Sequence, residues 1–552
     1  MNGVLTDFFE VERSVRQGCP LSALLYALSV EPLATLIKRD KGVEGIKLPY
    51  GGRCVINHYA DDTTITVRDG GSVRRVMEIV EDYGRASGAK INKEKSEIMY
   101  IGKVERIEVG LRVEEKYIKV LGVHLGVDSK EARDATWTGV INKIRTVCTA
   151  WRGRKLRLKG KVLVVNSLML SVCVYVMSVV EMPGWVMNDL NKIVCDFIWE
   201  GKGVKIAQKT LVGKRRKGGL KLIDLETKKV AIRIKTVQKY MVGKWHYGWK
   251  DLLKKYIDEV GGIGDYGWYM GFKQTMTVGI PEIYREVLEA WRRFLPKVQY
   301  DCDGLNMFVN LPLFLNEKFK HNEKTLYEPK FIEGGIRQVK DLIYEVIPGF
   351  LRDNCIFDSV CEIDGMEDRD KVKKIHDRIK SSIPGEWAGL IESECVSRQE
   401  VRIPELYVKV EGGKCGMERM SVKKVYDWLI GDVFKEPAAV KVWKRVFVNW
   451  EVEDIWANCN IKYNSIECEN NDFLIKHNRI YTNVVLNKIN NEVNVICDVC
   501  NSGHESFSHY FLDCGELVDF FVFLKALIRE SWSEEYDLDV VFVWGMWERG
   551  AF

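Results

Sequence analysis

The 552-residue sequence lacks the features that mark several special classes of protein. It has no low-complexity tract, and its composition is that of a globular protein with room for several domains. No secretory signal opens it. Its fifteen cysteines are an odd number scattered over a long chain, which is not the pattern of a disulfide framework. We therefore expect an intracellular protein, of the nucleus or the cytoplasm.

One uncharged run raises the question of a membrane span. Residues 162–180 carry no formal charge over 19 positions, and Lys159 and Lys161 precede them. The run contains Asn166 and three serines, which favour a buried helix over a span. We predict no membrane partner, with a span as the alternative.

Charge is distributed unevenly along the chain. The net charge is +5, but residues 141–240 hold 22 Lys or Arg against 6 Asp or Glu, a local charge of +16. The remaining 452 residues therefore sum to −11. A basic segment on a slightly acidic chain is typical of a phosphate-binding surface. The alternative is a solvated face with no partner.

Two adjacent aspartates, Asp61 and Asp62, are predicted to lie at the tip of a tight β-hairpin. Residues 54–56 read as one strand, and the β-branched residues of 63–67 predict the other. Adjacent carboxylates repel each other, whereas a divalent cation between them removes the repulsion. The pair therefore indicates a metal site, and an isolated Asp-Asp in a polar turn is the competing interpretation.

Two helices are predicted on either side of this hairpin. Pro20 suits the first turn of the earlier helix, where its missing N–H is no loss. Four leucines give that helix a predicted apolar face: Leu21, Leu24, Leu25 and Leu28. The later helix is predicted to end near Gly88.

Three further stretches accompany Asn57-His58-Tyr59-Ala60-Asp61-Asp62 in a fixed order. They are Val15-Arg16-Gln17-Gly18-Cys19-Pro20-Leu21-Ser22, Ser87-Gly88-Ala89-Lys90-Ile91-Asn92-Lys93-Glu94-Lys95-Ser96 and Val120-Leu121-Gly122-Val123. Together the four stretches resemble the palm of a reverse transcriptase, and the chain is most similar to the non-LTR (LINE-type) retrotransposon family. The resemblance implies RNA-directed DNA synthesis by two-metal nucleotidyl transfer, with an RNA template and a DNA primer or target as partners.

The resemblance also implies roles for individual residues. Asp61 and Asp62 would be catalytic and would hold Mg²⁺ or Mn²⁺, and Lys95 would screen triphosphate charge unless it is a solvated lysine. The remaining residues implied in template, primer or nucleotide binding are Arg16, Gln17, Gly18, Tyr59, Ala60, Leu121 and Gly122. The basic cluster Lys214, Arg215, Arg216 and Lys217 is predicted to contact a nucleic-acid backbone, because phosphate binding needs clustered cations.

The predicted fold class is α+β, and four domains are expected. They are a partial right-hand polymerase palm over 1–130, a basic and mostly α-helical thumb over 131–240, a helical connecting region over 241–435, and a C-terminal domain over 436–552. We find no chemical motif in the connecting region.

The C-terminal domain carries a candidate zinc site between residues 497 and 514. Cys497, Cys500, His509 and Cys514 have the spacing C-x2-C-x8-H-x4-C. Three thiolates and an imidazole can close a tetrahedron around a structural Zn²⁺. His504 is a rival ligand, and adventitious spacing is the alternative. The arrangement matches the terminal zinc knuckle of many LINE-type proteins.

One catalytic group implied by the resemblance has no counterpart in the sequence. The family holds its metals with three aspartates, and the third lies several tens of residues before the Gln17-Gly18 motif. Only 16 residues precede Gln17, and Asp7, Glu10 and Glu12 are the carboxylates among them. We therefore expect a truncated chain that is inactive alone. The competing hypotheses are a nucleic-acid-binding remnant without chemistry and a relic without function.

Overall fold

The computed structural model of the protein describes residues 19–526, with gaps at 244–246, 262–263, 397–402, 447–455, 457–464, 508, 521 and 524–525. The predicted site residues Arg16, Gln17 and Gly18 lie outside the described residues, as do Asp7, Glu10 and Glu12.

The described chain is predominantly helical. Its α-helices, in chain order, are α1 (Ser22–Arg39), α2 (Gly70–Ser87), α3 (Ser129–Arg152), α4 (Leu158–Val164), α5 (Ser171–Val179), α6 (Gly184–Trp199), α7 (Gln208–Leu211), α8 (Leu225–Val242), α9 (Gly248–Gly261), α10 (Glu282–Phe294), α11 (Leu305–Phe308), α12 (Pro329–Glu333), α13 (Asp353–Val360), α14 (Arg369–Ser381), α15 (Gly385–Ser393), α16 (Val422–Val433), α17 (Ala439–Val446), α18 (Ile466–Lys476) and α19 (Asn483–Asn487).

The strands are short. They are β1 (Ile46–Lys47), β2 (Arg53–Cys54), β3 (Ile56–Tyr59), β4 (Asp62–Ile65), β5 (Glu97–Ile98), β6 (Arg112–Val113), β7 (Tyr117–Val120), β8 (Val123–Gly126), β9 (Val298–Gln299), β10 (Lys320–His321), β11 (Lys324–Thr325), β12 (Tyr407–Val410) and β13 (Gly413–Gly416). Antiparallel pairs join β1 to β2, β3 to β4, β7 to β8 and β10 to β11, whereas β5 and β6 run parallel. The order β13-β12-β9 makes a three-stranded sheet.

The chain folds into two compact units, each built from two separate stretches. The first unit comprises residues 1–138 and 236–419, and the second comprises residues 139–235 and 420–552. The α+β class is confirmed in its coarse form, a mixture of helices and sheets. The predicted arrangement as palm and thumb, and the four predicted domains, remain predictions.

In the first unit, α1 and α2 pack on the β3–β4 hairpin. Leu33 and Ile37 of α1, Val76 and Ile79 of α2, and Ile56 of β3 are all buried in one apolar cluster. The α2 helix begins after Asp69, whose carboxylate accepts a hydrogen bond from the Ser72 N–H at 2.8 Å. It ends at Gly88, which adopts φ +73° and confirms the predicted end of this helix.

The predicted apolar face of α1 is exposed. Leu21, Leu24, Leu25 and Leu28 have exposed fractions of 60, 63, 51 and 72%. The helix itself is present, but the three residues that it buries are Leu33, Ala34 and Ile37 in its C-terminal half. The four leucines of the predicted apolar face are therefore not part of the core, because helical spacing marks a face without showing which part of it has a neighbour.

In the second unit, the uncharged run forms α4, a π-helical turn at Val165–Met169, and α5. One side of it is buried, including Val162, Met169 and Met177, and the other is exposed, including Leu163 and Tyr175. The stretch Leu158–Val179 is long and apolar enough to cross a membrane. Of its apolar 18-residue segment, 44% is buried inside the protein. The buried guanidinium of Arg233 donates a hydrogen bond to the Val180 carbonyl at 2.9 Å.

Candidate metal and phosphate-binding sites

The aspartate pair lies at the tip of an antiparallel hairpin. Tyr59 pairs with Asp62 across β3 and β4, so Ala60 and Asp61 form a two-residue turn. Ala60 adopts φ +52°, a left-handed conformation that is unfavourable for alanine by roughly 1 kcal/mol. Both carboxylates are exposed. The turn therefore presents two adjacent negative charges to solvent.

The hairpin is held firmly below its tip. The Thr66 N–H donates to the Val55 carbonyl at 2.7 Å, beside the buried Ile56. His58 and Thr63 face each other across the strands, with 2.8 Å between Nδ1 and Oγ1. Burial is the main cause that lowers the pKa of His58, so the imidazole is neutral near pH 7. These contacts fix the position of the backbone that carries the two aspartates.

The negative charge of Asp61 affects the pKa of Tyr26 on α1. Burial, and next the negative charge of Asp61, raise the pKa of Tyr26. The phenol therefore stays protonated near the aspartate pair. Among the described residues, no third carboxylate, histidine or cysteine joins Asp61 and Asp62 in a metal-binding group. Two carboxylates alone can hold a divalent cation loosely, because magnesium favours octahedral coordination with several oxygen ligands.

The other predicted residues of the first unit lie on two separate turns. Lys95 is exposed on a turn before β5, where its N–H donates to the Asn92 side-chain oxygen at 3.2 Å. Leu121 and Gly122 form the turn between β7 and β8, with φ +48° and +83°. The structure thus brings Tyr59, Ala60, Asp61 and Asp62 together on one tip, and it places Lys95 and the Leu121-Gly122 pair on tips of their own.

The basic cluster of the second unit is an exposed turn between buried flanks. Arg215–Lys217 form a single 3-10 turn that begins after Lys214. All four basic side chains are exposed, whereas residues 211–213 and 218–220 are buried. Within the described part of the chain, none of the four forms an ion pair with a carboxylate. We call Lys214, Arg215, Arg216 and Lys217 the basic turn.

Hydrogen bonds and a packed aromatic ring hold the backbone on either side of the basic turn. The Gly219 N–H donates to the Lys214 carbonyl at 3.0 Å, and the Leu220 N–H donates to the Leu211 carbonyl at 2.8 Å. His477 Nε2 donates to the Gly218 carbonyl at 2.9 Å. A Cβ at Gly218 would lie 2.7 Å from the Trp456 ring, so this position needs glycine for space as well as for its φ of +80°.

Two basic residues earlier in the same unit are paired instead. Arg157 and Lys159 contact the buried carboxylate of Glu469 at 3.0 and 3.2 Å. This single carboxylate balances one of the two positive charges within the fold. Local sequence patterns carry no signal for this pairing, because more than 300 residues separate the partners.

The four predicted zinc ligands come together. The donor atoms of Cys497, Cys500, His509 and Cys514 all lie within 4.8 Å of one another. Tetrahedral zinc with bonds near 2.3 Å would place sulfur ligands roughly 3.8 Å apart, so the donor set and its spacing fit Zn²⁺. His504 is not a member of the group, and instead its backbone bridges to Ile496. None of the 14 cysteines within the described residues forms a disulfide bond.

Thiolate chemistry is already favoured at this group. Hydrogen bonds from Ser502 are the main cause that lowers the pKa of the Cys500 thiol to about 5, and the backbone of Gly503 adds to the effect. The Ser502 hydroxyl lies 3.3 Å from the Cys500 sulfur, and His509 Nε2 lies 3.2 Å from it. Burial raises the pKa of Cys514. A bound cation would offset the cost of ionising that buried thiol.

Comparison with known proteins adds independent information. Residues 1–125 match the family described as reverse transcriptase (RNA-dependent DNA polymerase). The chain is also 27% identical over 358 residues to the Transposon TX1 uncharacterized 149 kDa protein of Xenopus laevis. That similarity covers 62% of this chain and 27% of the relative, so the chain spans about a quarter of the relative's length.

Proposed function

We propose that this chain belongs to the reverse transcriptases of non-LTR retrotransposons and contributes to RNA-directed DNA synthesis, because residues 1–125 match the reverse transcriptase family and the chain is similar to a transposon protein. The observation that carries the proposal is the Asp61-Asp62 tip. It lies inside the matched residues, its carboxylates are exposed, and its base is fixed by a buried core. The substrates are deoxynucleoside triphosphates and a DNA primer paired with an RNA template.

In this proposal Asp61 and Asp62 hold Mg²⁺, the cation that reverse transcriptases generally use, or Mn²⁺. Such ions lower the pKa of the attacking hydroxyl and offset charge on the transferring phosphoryl group. Tyr59 and Ala60 position the carboxylates, and Lys95 screens triphosphate charge. Leu121 and Gly122 hold the primer end, while Arg16, Gln17 and Gly18 contact the template and the incoming nucleotide.

The basic turn supplies a phosphate-binding surface in the second unit. Four exposed cations with no carboxylate partner among the described residues attract a nucleic-acid backbone, and binding releases counterions from it. Arg157 and Lys159 differ from the basic turn because both contact Glu469, which balances one of their two positive charges. Zn²⁺ at the Cys497 group would have a structural role, since four protein ligands leave no open position for a substrate.

We further propose that the 552 residues tested alone do not synthesise DNA. Among the described residues, no third metal-binding group joins Asp61 and Asp62. RNA-templated primer extension tests this: we expect no product above background from the chain alone, and recovery when a segment with fingers and a third aspartate is fused before residue 1. Robust extension by the 552 residues alone would contradict this part of the proposal.

A second candidate function is nucleic-acid binding without chemistry. The basic turn and the Cys497 group favour it, because neither depends on the aspartate pair. The two candidates differ in one outcome. If fusion to an upstream segment never yields extension while the chain still binds a primer–template duplex, binding alone is the function.

A further inference from the structure

A mixed aromatic and cationic cleft lies in the first unit, on residues that the polymerase proposal does not use. Its volume is about 570 Å³, within the range of about 300–1,000 Å³ typical of small-molecule sites. Its lining residues share two kinds of chemistry, aromatic or apolar surface and positive charge: Tyr50, Tyr240, Met241, Trp268, Ile403, Lys250, Lys254 and one acid, Asp251.

Tyr50 is the unusual member of this lining. It stands at the turn between β1 and β2 with φ +61°, a conformation rare for a bulky side chain. Its hydroxyl donates a hydrogen bond to Asp258 of α9, and that bond raises the pKa of Tyr50 to about 12. The side chain is nevertheless 58% exposed. A large aromatic ring is thus held in one orientation with much of its surface open to solvent.

Cations stand beside this ring. Lys254 Nζ lies 4.9 Å from the centre of the Tyr50 ring and has no ion-pair partner among the described residues. Lys250 Nζ is fixed by a hydrogen bond to the Gly243 carbonyl at 2.7 Å. Trp268 forms a fully buried floor, packed edge-to-face on Trp291 with ring centres 5.6 Å apart. Lys250 and Lys254 are therefore the two cations that a phosphate in this cleft would contact, while Asp251 of the lining and Asp258, which accepts the Tyr50 hydrogen bond, are acids close to the ring.

We propose that this cleft binds one unpaired nucleotide of a single-stranded RNA or DNA. Its base would stack on the open part of the Tyr50 ring, and its phosphate would lie near Lys254 and Lys250. An exposed aromatic platform beside cations is how proteins bind single strands, because every unpaired base offers a flat face. The bases of a duplex are already stacked on one another, so a duplex gains nothing from Tyr50.

The test measures binding of short fluorescent single-stranded RNA, single-stranded DNA and duplex DNA to the full chain in the absence of divalent cations. Tyr50→Ala and Lys254→Ala should each weaken single-strand binding by roughly tenfold, the scale of one lost stacking contact. Lys255→Ala is the matched control, since it removes the same charge from the same helix, outside the cleft, where Lys255 pairs with Glu259 at 3.5 Å. Duplex binding should be unchanged in all three variants.

A conservative variant separates binding from stability. Tyr50→Phe keeps the ring and loses the hydrogen bond to Asp258, so it should retain single-strand affinity. If Tyr50→Phe and Tyr50→Ala are equally weak, or if Lys255→Ala matches Lys254→Ala, the cleft is not the binding site. Crosslinking of single strands that carry 5-iodouracil should label Tyr50. If Tyr50→Ala weakens the binding of only RNA or only DNA, that strand is the one that the cleft binds. Because none of these readouts needs Asp61 or Asp62, failure here leaves the polymerase proposal standing.

Discussion

Within the Cys497 group, the two outer cysteines differ from the inner pair of ligands. Cys497 and Cys514 are buried, whereas Cys500 and His509 are half-buried. Removing one ligand of such a group leaves buried sulfur atoms with no cation to balance them, which is costly in a poorly hydrated site. Substitution of any ligand should therefore destabilise residues 497–514 rather than merely weaken a contact.

The Cys497 group predicts one structural zinc ion in the chain. The chain should bind one equivalent of Zn²⁺, and Cys497→Ser/Cys500→Ser should lose it, because structural zinc contributes on the order of 10 kcal/mol to folding of such sites. Metal analysis of purified protein is the measurement. Cys468→Ser is the control, since Cys468 is exposed and outside the group. Undiminished zinc in the double variant would overturn the assignment.

His477 gives a prediction about pH. Burial is the main cause that lowers its pKa to about 4, below the value near 6.5 expected in the unfolded chain. The unfolded state therefore binds the proton more readily between these values. The contribution of His477 to the free energy of unfolding is therefore fully present above pH 6.5. It falls by up to roughly 3 kcal/mol as the pH drops toward 4.

Denaturant unfolding at pH 7 and pH 5 measures this loss. His477→Gln should lose less stability between the two values than the wild type, because glutamine does not titrate. His321→Gln is the control, a histidine outside the second unit. Protonation of the cysteine and histidine ligands affects all three proteins alike and cancels in the comparison. Equal losses in wild type and His477→Gln would contradict the prediction.

The basic turn carries four positive charges on a tightly folded piece of backbone. A Cβ at Gly219 would overlap the Gly213 carbonyl, so the two ends of the turn can approach this closely only as glycines. The tight closure holds four cations on one short stretch of backbone. Such an element should act as a unit toward phosphates.

The salt dependence of binding measures how many phosphate contacts the basic turn makes. Replacing all four residues of the basic turn by glutamine should flatten the slope of log K against log salt by up to roughly 4 for a primer–template duplex, because four phosphate contacts are lost. The same change at four lysines of α14 is the control: Lys371, Lys373, Lys374 and Lys380. An unchanged slope in the basic-turn variant would assign these residues to a solvated face.

Elements with strong local signals were predictable from sequence. The hairpin of Asp61 and Asp62 follows from the β-branched residues beside it, and the end of α2 follows from Gly88. The exposed first half of α1 was not predictable, because helical periodicity marks an apolar face without identifying its neighbour. Spacing alone also left His504 and His509 as rivals, which the three-dimensional grouping decides.

For the whole molecule, the sequence order conceals which stretches fold together. Residues 139–235 form one unit with residues 420–552, and residues 236–419 join residues 1–138. The Arg157–Glu469 and His477–Gly218 contacts show the reason, since each joins segments that are far apart in sequence. Periodicity and turn residues report on neighbours along the chain, and long-range pairing lies beyond them.

The most direct test of the central claim is RNA-templated primer extension by the chain fused to an upstream segment that restores activity, comparing Asp61→Asn with Asp82→Asn. The two variants make the same chemical change, but Asp82 lies on the exposed surface of α2, away from the turn. We predict that Asp61→Asn lowers extension by several powers of ten, because loss of charge stabilisation at a transferring phosphoryl group costs several kcal/mol, and that Asp82→Asn extends like the parent. Extension that survives Asp61→Asn would contradict the claim that this hairpin holds the catalytic metals.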